Sequence, residues 1–435
     1  MAKIFPFRAV RYDTGVVDDI SKVVAQPYDR IGTELQEKYY DLHPKNVVRI
    51  IKGKTCPDDN SDSNQYTRAR DYLDSWLSEG TLVKDAGPAI YLYDQTYTVG
   101  DVTRTRRGFV ALGELEELGK GVKPHERTLA GPKADRLNLM RAAAAQFGQI
   151  FMLYSDQENR INKLLGDAAS GPPDYDAPDI DGVRQRVWVL RDPALHGEVA
   201  KLMENKFLFI ADGHHRYETA VNYRNEMRAA GKKCAPGSES FDNRMMTFVN
   251  MADEGLTILP THRLVHSVDH AKSRGLLEGL AEHFEVVPLE GGIDGLLAKM
   301  AEAGEGHRFG LYLGDCFYLV ELKKGVDLTK EIHEEMSAAW KQLDVSILHS
   351  LILDDLLGIG KEELEKETNV AYARDAEKAV AEVDSGKFQM AFFMNPTRAS
   401  QVSEVAGSGE RMPQKSTDFY PKILTGFVMN KLEIL

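Results

Sequence analysis

FLFIADGHHRYETAVNYRNEMRAA, residues 207–230, decides how the rest of the chain is read. Phe207, Leu208, Phe209 and Ile210 are four consecutive apolar residues, a length that suits a strand buried on both faces. Asp212-Gly213 signals a turn. Ala220, Tyr223, Met227 and Ala230 then recur with helical spacing, and Gly231 stands where a C-terminal cap belongs. The expected order is strand, tight turn, helix. The turn gathers one carboxylate, two imidazoles and one guanidinium: Asp212, His214, His215 and Arg216.

Such a turn suits an anion. A helix N-terminus carries unpaired N–H groups and the positive end of the dipole. Gly213 would let backbone approach a phosphate closely, Arg216 could fork two hydrogen bonds to it, and His214 could donate another. Asp212 is the candidate ligand for a metal, with Mg2+ favoured because it needs only one or two carboxylates plus substrate phosphates. A transition-metal centre is the alternative, with His125, Glu126 or His262 as distant partners, but adjacent histidines point apart in regular structure and no HExxH pattern is present. The plainer alternative makes Asp212 an N-cap, Arg216 a surface residue and the histidines packing groups.

The chain has 435 residues, enough for two or three domains, with 43% hydrophobic and 28% charged residues, as in soluble globular proteins. A net charge of −13 argues against broad nucleic-acid or anionic-membrane binding. Cys56, Cys234 and Cys316 form no CxxC pair, so neither a disulfide framework nor a cysteine zinc site is expected. A reducing, cytoplasmic setting follows, and no apolar run approaches the length of a membrane span.

Alternation of apolar strands with periodic helices predicts an α/β or α+β fold: a mixed sheet with flanking helices and a smaller C-terminal α/β region. The texture changes after Ser267, which places an N-terminal domain carrying the turn at 1–267 and the C-terminal region at 268–435. Lys22–Ala25 and Asn46–Ile51 are expected as strands, and Gly166–Asp181 as a long exposed loop. Val370–Tyr372, a helix over Asp375–Val383 and Gln389–Met394 suggest a βαβ-like unit. Pro27-Tyr28-Asp29 reads equally as a rigid turn or part of a site. Pro124 puts His125 and Glu126, flanked by Lys123 and Arg127, in a loop or first turn. Asp135-Arg136 reads as an ion pair at a helix start. His262-Arg263 and Lys415-Ser416-Thr417 are further polar groups compatible with anion contact.

The segment IADGHHRYETA resembles the signature of the bacterial and archaeal family called domain of unknown function one thousand and fifteen. FPFRAVRY, AQPYDRI, KPHERTLAGPKADRLNLMRA, ILPTHRLV and MPQKSTDFYPK extend the resemblance along nearly the whole chain. Asp-Gly-His-His-Arg also resembles the phosphate-contacting turn of free-serine kinases in the ParB/sulfiredoxin-like superfamily, a likeness of site that covers this turn and reaches at most to Glu126. That second resemblance implies ATP or ADP with Mg2+. It implies Glu126, Asp212 and His215 as catalytic groups, with Glu126 the general base. Gly213, His214 and Arg216 would bind the nucleotide. Beyond that resemblance, Lys415 in its Lys-Ser-Thr run is read as a further nucleotide contact, and His125, His262 and Arg263 as substrate contacts. On residue type alone Glu126 is a surface glutamate. Three functions stay open: a small-molecule kinase, a nucleotide- or anion-binding regulator, and a phosphate-ester hydrolase. The partner expected is a small molecule, with a homodimer as the assembly considered.

Overall fold

The computed structural model describes residues 2–126, 130–302, 304 and 306–435. The chain divides into two compact units, Met1–Thr257 with Pro421–Leu435, and Ile258–Tyr420. This differs from the expected division at 267/268 in two ways. The His262–Val265 strand pairs with Val370–Ala373 and Met390–Phe393 and so belongs to the second unit. The last residues return to the first unit, where Ala25 pairs with Thr425 and Val10 with Met429. Composition registers a change of texture but not where a strand pairs.

The first unit is built on a mixed nine-stranded sheet. Its strands run, edge to edge, Val122–Lys123, Leu208–Asp212, Ile150–Tyr154, Asn243–Asn250, Val102–Glu114, Ile90–Val99, Arg184–Leu190 and Tyr175–Pro178, with Ile4–Phe5 also on Val102–Glu114. Two pairings are parallel, Leu208–Asp212 with Val122–Lys123 and Asn243–Asn250 with Ile150–Tyr154. The organising strand starts one residue later than expected: Phe207 lies outside it and is exposed, whereas Leu208 and Ile210 are buried. The helix His214–Ala229 packs Tyr217, Ala220 and Val221 into the core with Ile150, Met152, Ile210 and Phe248. Each such side chain contributes about 1.5–3 kcal/mol by leaving water. Gly231, at φ 67, ends the helix as expected.

Several local expectations are corrected. Lys22–Ala25, expected as a strand, follows on the 3₁₀ turn Ile20–Lys22 and makes a single bridge at Ala25, and Val48–Ile51, within the other expected strand, is a short helix. The apolar runs there are too short for periodicity to separate helix from strand. Tyr175–Pro178, expected in a loop, pairs with Arg184–Leu190 as an edge strand.

The second unit carries a six-stranded sheet in the order Phe284–Leu289, Phe317–Leu322, Arg308–Tyr312, Met390–Phe393, His262–Val265, Val370–Ala373, with antiparallel pairings. The helices Gly292–Ala301 and Ala376–Asp384 bury Leu296, Met300, Ala379 and Val383 against it. The βαβ-like unit is therefore a split one, with His262–Val265 inserted between its two strands. Among the described residues no helix is long and apolar enough to cross a membrane.

Candidate functional site

One feature of strand pairing assembles the site. Leu208 and Phe209 pair in parallel with Val122 and Lys123, so both strands leave the sheet at the same edge. The first continues into Asp212–Arg216 and the second into His125–Glu126. Antiparallel Ile150–Tyr154 brings its entry, Gly148-Gln149, to that edge, and its parallel neighbour brings Arg244 there. Residues far apart in sequence meet because two parallel pairs of strands join antiparallel, so the ends of one pair and the starts of the other share an edge.

Gly213 is the residue before the first helical turn, at φ 97, in the left-handed region that favours glycine. Asp212 is therefore the last strand residue, not the N-cap. A Cβ on Gly213 would sit 3.0 Å from Arg216 Nε. The glycine makes room first for a guanidinium of this chain. Arg216 is buried; its Nη2 pairs with Asp212 and its Nη1 donates to the Gln149 carbonyl. The expected fork to a phosphate is thus largely taken by protein partners, and Nε alone has no partner among the described residues. Lys422 Nζ lies 3.7 Å from the other Asp212 oxygen. Burial raises the Asp212 carboxyl, but Lys422, Arg216 and His214 more than offset it and hold it well below the usual carboxylate range.

His214 is buried, and its Nε2 accepts from the backbone N–H of His125 at 3.2 Å and of Glu126 at 3.3 Å. Neutral His214 then carries its proton on Nδ1, which faces Glu126 Oε2 at 3.7 Å. The ring of buried His125 stands edge-on to that of His214, 4.7 Å between centroids. The Glu126 side chain is 35% exposed and faces His214 of the turn. Arg127 lies outside the described residues. His215 is half-buried; burial lowers it, Asp29 and Glu218 oppose that, and Lys133 and Arg216 add to it.

His262, Arg263 and Lys415 lie in the second unit, in a cluster of their own. His262 Nδ1 accepts from the Met394 N–H at 3.2 Å, and burial with Arg263 pushes it down to about 4. Arg263 donates to the carbonyls of Thr261 and Lys415 and sits 3.4 Å from His349 Nε2. The half-exposed Lys415 ammonium lies 5.4 Å over the Tyr372 ring and 3.9 Å from Glu367. The C-terminal lysine beside Asp212 is Lys422, which sequence reading passed over because nothing but its charge marked it.

Three further residues gather at the edge. Arg244 opens the Asn243–Asn250 strand and is buried, donating to the Gly148 carbonyl at 2.5 Å. Arg136 pairs with Asp135 at 2.5 Å, as expected, but inside the helix Ala130–Ala143 rather than at its start, and its guanidinium also lies 3.9 Å over the Tyr28 ring. Tyr28, pushed up to about 12 by burial, stays a neutral hydroxyl. The Pro27-Tyr28-Asp29 turn was the available signal for this side of the site. As for metals, a three-ligand cluster among the described residues is the loop set Cys56, Asp58 and Asp59, and the Asp212–His215 turn forms none. Both Asp212 oxygens face cations, so Asp212 does not fit a protein-held Mg2+.

Comparison with known proteins gives a family and a set of distant shapes. A sequence search of curated proteins finds no match. Among solved structures, a conserved hypothetical protein from Pyrococcus furiosus is similar at 16% identity, covering 70% of this chain and 89% of its own, with TM-score 0.33. A free serine kinase variant in complex with ADP is similar at 13% identity, 72% and 89% coverage and TM-score 0.36. SbnI from Staphylococcus aureus, truncated at its C-terminus, is similar at 12% identity, 73% and 86% coverage and TM-score 0.32. Likenesses this distant carry no argument about activity. The family model described as Protein of unknown function (DUF1015) matches residues 4–346, and the chain belongs to that family.

Proposed function

We propose that the protein is a nucleotide-dependent phosphotransferase acting on the hydroxyl of a small metabolite, in the manner of a free-serine kinase. The observation that carries the reading is the junction of Glu126 with the turn: a half-open carboxylate 3.7 Å from His214, beside an edge that also holds Lys422, Arg216 and the positive end of the His214–Ala229 helix. A bound ATP or ADP supplies the phosphoryl group. Lys422 and the helix end offset phosphate charge, and Asp212 holds Arg216 and Lys422 in place. Glu126 takes the acceptor's proton as its oxygen attacks phosphorus and the bond to the leaving nucleotide breaks. His214 Nδ1–H orients the Glu126 carboxylate. Since Asp212 does not fit a protein-held Mg2+, no step runs through one.

Incubation with ATP or ADP and a panel of hydroxylated metabolites, serine included, tests the proposal by phosphorus NMR. A phosphorylated metabolite is the expected product. Free phosphate alone would make the protein a hydrolase, and intact nucleotide throughout would leave binding without transfer; either overturns it.

A further inference from the structure

Arg244 is a buried cation with no counterion among the described residues. Its Nη2 is used by the Gly148 carbonyl, while Nε and Nη1 are buried and without a hydrogen-bond partner among the described residues. The charged group that most affects it is another cation, Arg216. The two are held side by side because consecutive carbonyls take them: Gly148 accepts from Arg244 and Gln149 from Arg216, whose own Nε is also without a partner. Asp212 offsets the charge of Arg216, but Arg244 has no such acid among the described residues, and a second buried guanidinium beside the first is costly unless something anionic joins it.

Both line one cleft, with Arg136, Tyr28 and Thr425 in its wall and a cavity volume of about 30 Å³. That exceeds the ~10–15 Å³ that one water needs, and it is far too small for a nucleotide. The walls offer donors: unused guanidinium N–H groups, a phenol that burial keeps protonated, and a threonine hydroxyl. We propose that this cleft is a binding site for the oxyanion headgroup, carboxylate or phosphate, of a small metabolite, seated between Arg244 and Arg216. The site shares Arg216 with the transfer site but does not depend on transfer: binding without turnover leaves it standing, and turnover without binding here leaves the kinase reading standing.

The test is calorimetric titration of the full chain with potassium phosphate and, separately, potassium acetate, at ionic strength held constant with chloride. At least one should bind to the wild type, and the stronger binder names the headgroup. Arg244→Met is expected to weaken that binding about 30-fold or more, the cost of removing one partner of a buried charge pair. Tyr28→Phe should weaken it about fivefold, as for one neutral hydrogen bond. No binding of either anion by the wild type overturns the proposal, as does undiminished affinity in R244M. Should R244M not fold, Tyr28→Phe decides, and wild-type affinity in that variant overturns it.

Discussion

The turn at Asp212–Arg216 and the His262-Arg263 cluster use the same residue types to opposite ends. Each sets a histidine beside a buried arginine at a strand end. In the first unit carboxylates are present: Asp212 pairs with Arg216, and Glu126 faces His214. Charge is kept, and burial fails to neutralise Asp212. In the second unit the buried cluster is held by carbonyls and ring nitrogens. Burial wins there: His262 falls to about 4, Arg263 to about 10 and His349 well below its usual value. A His-Arg pair keeps a charged imidazole partner for ionic chemistry when an acid pairs directly with it; in the second unit burial beside the still-charged Arg263 leaves the imidazoles of His262 and His349 neutral.

That contrast breaks first at Glu126. Glu126→Gln keeps shape and removes the base, so turnover should fall ~10²–10⁴-fold while nucleotide affinity is nearly unchanged. Steady-state rates beside a nucleotide titration check it, and an undiminished rate removes Glu126 from the chemistry. Next comes Asp212→Asn. The substitution leaves Arg216 and Lys422 facing a lost charge. Breaking such a buried pair costs ~3–5 kcal/mol, so activity and denaturation midpoint should fall together. A variant as stable as the wild type would show that Arg216 finds compensation elsewhere.

Legibility followed the length and locality of the signal. Strand-turn-helix over 207–230 was readable because its strand, glycine turn and helical period adjoin. Glu126 was nameable only through resemblance, since its position depends on a parallel pairing of two-residue register that no local pattern encodes. Lys422 and Arg244 were invisible. One lies on a tail that returns to the first unit, and the other opens a strand as an ordinary surface-type residue. Lys415 was nameable because a Lys-Ser-Thr run looks like phosphate chemistry, and a lone lysine after Tyr-Pro, Lys422, does not.

The neutral imidazole of His262 makes a prediction about pH. The unfolded imidazole of His262 binds its proton near pH 6.5, the folded one only near pH 4. Between these values the unfolded state holds more protons, so this contribution is complete above pH 6.5 and is lost as pH falls toward 4. Across the 2.5-unit gap that is about 3 kcal/mol. His262→Gln, which retains an acceptor for the Met394 N–H, should lose less stability over that window than the wild type in thermal melts. Parallel curves would place His262 in contact with water and undo the contrast with the first unit.

The smallest expected effect is the most selective. Gly213→Ala removes no charge and no hydrogen-bonding group. It adds one methyl at φ 97, where an L side chain is strained, and sets that methyl 3.0 Å from Arg216 Nε. The backbone strain alone costs ~1–3 kcal/mol. If the turn works by holding Arg216 against Asp212, the added methyl must also push the guanidinium off its carboxylate. Turnover should then fall by more than the change in stability accounts for, with Lys422 and Glu126 untouched. If G213A loses only stability and keeps its rate at temperatures where it is folded, the Arg216–Asp212 pair is a structural brace. The first unit would then resemble the second more than its charges suggest, with Glu126, His214 and Lys422 left to carry the chemistry.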